Sequence, residues 1–80
     1  MTMRGVKEIR KIVEILLDRA GFDSELYFIR EDESGVSVLF DSKPAVDYFL
    51  QEVKLSEWND DFVQASMVEG KRYVAYIQNW

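Results

Sequence analysis

Apolar residues recur along the first quarter of the chain at Val6, Ile9, Ile12, Val13, Leu16, Leu17 and Ala20. Wound at 100° per residue they form one stripe about 140° wide, the pattern of a helix lying on a core. Lys7, Arg10, Lys11, Glu14 and Asp18 fall outside it. Arg10 and Glu14 are spaced for an i,i+4 ion pair worth roughly 0.2–0.5 kcal/mol. Gly21 can take the left-handed C′ position that ends a helix, and Phe22 is placed to fold back onto Leu17.

From Ser24 to Glu31 the pattern changes to a strand rich in Tyr and Phe, with apolar residues on both faces. Glu31-Asp32-Glu33-Ser34-Gly35 reads as a polar turn in which Gly35 supplies positive φ. Val36, Val38 and Phe40 then alternate as the inner face of a second strand, completing a hairpin. Asp41-Ser42-Lys43-Pro44 is a helix start: Ser42 can cap orphan amides, and Pro44 falls in the first turn, where its missing N–H does no harm. Val46, Phe49, Leu50 and Val53 form the buried stripe of that helix. Lys54 to Asp61 is irregular and reads as a loop or short 3-10 turn. Phe62–Val68 and Arg72–Gln78, joined through Glu69-Gly70, predict a second hairpin.

The order αββαββ predicts an α+β fold: a two-layer sandwich with a four-stranded antiparallel sheet and two helices on one face. It is the order a ferredoxin-like βαββαβ chain would have if its first strand were moved to the end, a likeness of architecture that carries no function. No linker or low-complexity tract divides residues 1–80, which read as a single domain.

Composition sharpens this picture. The chain is 48% hydrophobic and 14% aromatic, a globular rather than a disordered balance. No run approaches the length of a membrane span, and the charged N-terminal residues give no signal peptide, so the expected location is cytoplasmic. The net charge of −5 is uneven. Residues 1–19 hold five basic against three acidic residues, whereas residues 20–80 hold five against twelve.

Histidine and cysteine are both absent. Without them there is no side chain whose ordinary pKa lies near neutrality, no thiolate nucleophile, no Ser-His or Cys-His triad and no cysteine zinc site. No serine lies in a Gly-x-Ser-x-Gly elbow, and the isolated glycines form no phosphate loop. Carboxylates remain, at Glu31-Asp32-Glu33 and Asp60-Asp61, but without the spacing of a calcium loop. The sequence therefore predicts no catalytic residues, no cofactor and no metal.

What is left is binding. Ile15 and Tyr48 point away from their helical stripes, and Trp58 and Trp80 fall outside regular elements. Tyr27 and Ile29 suggest that the sheet face away from the helices also stays apolar. Aromatics of this kind supply much of the energy at protein interfaces. These six residues are the expected contact surface of a non-catalytic protein-binding module, a small regulator, adaptor or inhibitor whose partner is another protein or a second copy of the chain. Glu31, Asp32, Glu33, Glu57, Asp60 and Asp61 form an acidic contact surface that would steer association. The alternative is a role tied to nucleic acid. Either the acidic loops imitate a phosphate backbone, as inhibitors of the phage or mobile-element type do, or Arg4, Lys7, Arg10 and Lys11 bind weakly through the first helix. The acidic balance disfavours direct binding. Tyr73 and Tyr76, three apart, cannot share one strand face as a base-stacking pair.

Overall fold

The computed structural model describes residues 5–33 and 35–79. Helix α1 (Val6–Arg19) leads into strands β1 (Tyr27–Glu31) and β2 (Gly35–Phe40). Helix α2 (Lys43–Leu55) follows, then β3 (Phe62–Glu69) and β4 (Arg72–Asn79). The sheet order is β1-β2-β4-β3, antiparallel throughout. This is the expected two-layer α+β sandwich. The strand latest in sequence, β4, lies in the middle, as the rearranged ferredoxin-like order requires.

The local signals that predict the helices also end them. Gly21 adopts φ 80°. The Phe22 N–H donates to the Leu17 carbonyl and that of Gly21 to Asp18, both at 3.0 Å, which is the Schellman pattern. The Ser42 hydroxyl accepts from the Ala45 N–H at 3.4 Å, with Pro44 in the first turn. Ile9, Val13, Leu17, Phe49 and Val53 are fully buried and pack on Val36, Val38, Phe40, Ala75 and Ile77. The register aligns Val36 with Ile77 and Val38 with Ala75, so both helices cover one face.

Several boundaries differ from the sequence reading. Ser24–Leu26 is a 3-10 turn rather than the start of β1, closed by the Leu26 N–H donating to Asp23. Lys54 and Leu55 belong to α2, and the 3-10 turn beyond it covers only Asn59–Asp61. The second hairpin turns on Gly70-Lys71, because Glu69 still pairs with Arg72. Gly70, at φ 60°, supplies the positive φ that a two-residue hairpin loop needs. Gly35 does not: it lies inside β2 without positive φ. Its lack of a side chain serves another purpose, since a Cβ there would run into the Ile77 carbonyl oxygen of β4.

The sheet also coils toward its uncovered face. Arg30 of β1 donates to Glu69 of β3 at 2.8 Å and to the Tyr76 hydroxyl at 3.3 Å. By register Arg30 shares a row with Ala65, so a flat sheet would hold Arg30 and Glu69 about 20 Å apart. Coiling brings these diagonal corners together. It also buries Ser37 and Val74 completely, although no helix covers them.

Candidate functional site: the uncovered sheet face

The face opposite the helices is built from alternate residues of all four strands. One row runs Phe28, Leu39, Val74, Met67, and the next runs Arg30, Ser37, Tyr76, Ala65. Phe28 and Met67, at the two ends of the apolar row, are 59% and 47% exposed. Arg30 and Glu69 stand on opposite sides of that row, so their ion pair passes over its middle, where Val74 is fully buried, with the Tyr76 hydroxyl beside it. The hydrogen bond to Glu69 is the main cause raising the Arg30 pKa above its ordinary value, against the opposing effect of desolvation. Exposed aromatic and methionine side chains flanking an arginine are residue types enriched at protein-binding surfaces.

Beneath that face the Ser37 hydroxyl is buried and finds no hydrogen-bond partner among the described residues. An unsatisfied buried hydroxyl is a net liability. Ser37→Ala is therefore expected to hold or raise stability, by up to about 1 kcal/mol. Urea unfolding checks this; a loss of more than about 1 kcal/mol would mean that the hydroxyl is satisfied in solution.

The structure redistributes the residues singled out from sequence. Tyr27 pairs with Phe40 and Ile29 with Val38, so both face the helices and pack against the core. The expectation that they lie on the uncovered face is corrected: Phe28, between them, occupies it. Trp58 is half-buried against the core, with the Arg19 guanidinium 5.4 Å above its ring. Arg19 also binds Glu57 at 2.8 Å. Ile15 and Tyr48 are exposed, and Tyr48 stands edge-on to Phe22 at 5.8 Å. Neither residue lies on the sheet. Trp80 and Arg4 fall outside the described residues.

The two acidic segments come to the same end of the sheet, because Val63, Gln78 and Gly35 share a row. Glu33 and Asp60 are exposed there and Asp61 is half-buried. Glu31 is 3.6 Å from Arg10, and Asp32 accepts from the Gly35 N–H at 3.0 Å. Of the basic residues on α1, Lys7 and Lys11 are exposed, while Arg10 is engaged by Glu14 and Glu31.

Sequence reasoning missed Phe28, Met67, Val63 and Val68, all exposed. The signal for Phe28 was available: once Val36, Val38 and Phe40 are assigned to the core, hairpin pairing puts Tyr27 and Ile29 beside them. No group of three or more acidic, histidine or cysteine residues able to hold a metal occurs among the described residues. No helix among them is long and apolar enough to cross a membrane.

Fold and face together define a small αββαββ protein with one sheet surface free of helices, on which Phe28 and Met67 are exposed at either side of the Arg30–Glu69 pair. No protein-family model matches the chain, and no curated protein or solved structure does so either.

Proposed function

We propose that this chain is a non-catalytic protein-binding module, a small regulator, adaptor or inhibitor that engages another protein through the uncovered sheet face. The observation that supports this most is the exposure of Phe28 and Met67 at the two ends of an apolar row that crosses all four strands, on either side of the Arg30–Glu69 pair. The absence of His and Cys from the sequence agrees with it. Binding energy would concentrate in Phe28, the aromatic residue of the row.

Phe28→Asp tests the reading, because the substitution lies on a solvent-facing position and should leave the fold intact by circular dichroism. Partners captured by the tagged wild-type chain and identified by mass spectrometry should bind this variant at least about thirtyfold more weakly, the effect of losing a hot-spot side chain. Capture of the same proteins with unchanged affinity would refute a role for the face. The acidic alternative uses different residues, at the end of the sheet where Glu33 and Asp60 lie. A partner still held by Phe28→Asp, and displaced from this chain by nucleic acid, would mark that reading instead.

A further inference from the structure

We propose that β3 pairs with β3 of a second copy, antiparallel about Ser66, joining two four-stranded sheets into one of eight strands. This goes beyond the face described above, since it uses the edge of the sheet, and it stands whether or not that face binds a partner.

β3 is an edge strand of eight residues. Its run Phe62–Val68 contains no proline, lysine or other charge, and its ladder with β4 is unbroken by a bulge. Proteins commonly protect edges with such features, and this edge has none of them between its ends. The helices leave it bare on their side too, with Ser66 exposed and Val68 64% exposed.

The pairing geometry follows from the hairpin. A two-residue turn makes Glu69 and Arg72 a mutually hydrogen-bonded pair, so alternate residues back to Val63 bond to β4. The N–H and C=O groups of Phe62, Gln64, Ser66 and Val68 then point to the free edge. A two-fold axis perpendicular to the sheet keeps both helix layers on one side and opposes residues of equal parity. Centring it on Ser66 opposes Gln64 to Val68 and Ser66 to its own copy, for about six backbone hydrogen bonds.

Charge selects both the occupant and the register. At net −5 two copies repel over most of their surface, but this edge brings a neutral run together. With Ser66 on the axis, Asp61, next to the start of β3, arrives beside the Gly70-Lys71 turn of the second copy, within reach of the long Lys71 side chain, twice by symmetry. Moving the axis to Ala65 would instead set Asp61 against Glu69. The strand is thus complementary to itself in one register.

Sedimentation velocity over a concentration series tests the association. Ser66→Pro removes an N–H aimed at the edge rather than at β4, so the fold survives while the dimer dissociation constant should rise at least tenfold. Lys71→Glu, in the exposed turn, should weaken association at least tenfold as well, and adding Asp61→Lys to it should restore the dimer by exchanging the charges. The register is read in a chain with no cysteine of its own: Ser66→Cys places two thiols across the axis, within about 5.5 Å between Cα atoms, and should cross-link on mild oxidation faster than Ala65→Cys. A wild-type chain that stays monomeric at millimolar concentration would overturn the proposal. So would a dimer indifferent to both Ser66→Pro and Lys71→Glu, or one that cross-links preferentially through Ala65→Cys.

Discussion

Phe49→Ala is expected to leave most of the chain unfolded at 25 °C. Phe49 is fully buried in α2, and its ring lies 5.8 Å from that of Phe40 in β2. Phe40 in turn meets Phe22 at 5.2 Å, just beyond the end of α1. This line of rings joins both helices to the sheet, so a cavity at Phe49 loosens all three at once. Truncating a buried phenylalanine typically costs about 3–5 kcal/mol. A core of this size typically supplies about the same in total. Far-UV circular dichroism with urea titration reads the result. A folded variant with a wild-type midpoint would place the core elsewhere. Tyr48→Ala, which removes a ring that is half exposed, should lose far less.

Gly35→Val is expected to destabilise the fold by about 2–3 kcal/mol, the upper part of the range for forcing bulk into a packed interior. The obstacle is backbone: the new Cβ would meet the Ile77 carbonyl oxygen, and yielding would part β2 from β4. The change is not one of conformational freedom, since Gly35 has no positive φ. Gly5→Val is the matched control, because a Cβ there meets nothing within 4 Å, and at the N-cap of α1 it should cost no more than about 1 kcal/mol. Equal urea midpoints for the two variants would contradict the close approach of β2 and β4.

These two positions also mark where the sequence is readable and where it is not. Phe49 was legible as core because helical spacing with Val46 and Val53 is a local signal. The Gly21 cap and the Ser42 cap were legible for the same reason. The role of Gly35 was not: beside Asp32 and Glu33 it resembles an ordinary turn glycine, and its reason lies on a strand about forty residues away. Strand β1 shows a different limit. Tyr27, Phe28 and Ile29 are all apolar, so alternation alone cannot say which side is inner, and only pairing with Phe40 and Val38 decides it. Trp58 reads as exposed because acids surround it in sequence, yet it packs on the core with Arg19 above it. The coiling that buries Ser37 and Val74 is a property of the whole sheet and leaves no trace in any one segment.

The central position of β4 bears on how the molecule is made. Each hairpin closes over a few residues, but the ladder between β2 and β4 spans about forty, a slow closure by comparison. While the chain emerges from the ribosome, α1 and the first hairpin are available well before β4 arrives. During that interval β2, whose Val36, Val38 and Phe40 belong to the finished core, waits with one side unzipped. The newborn polypeptide is then most exposed to mispairing, and its escape depends on how quickly the later hairpin docks.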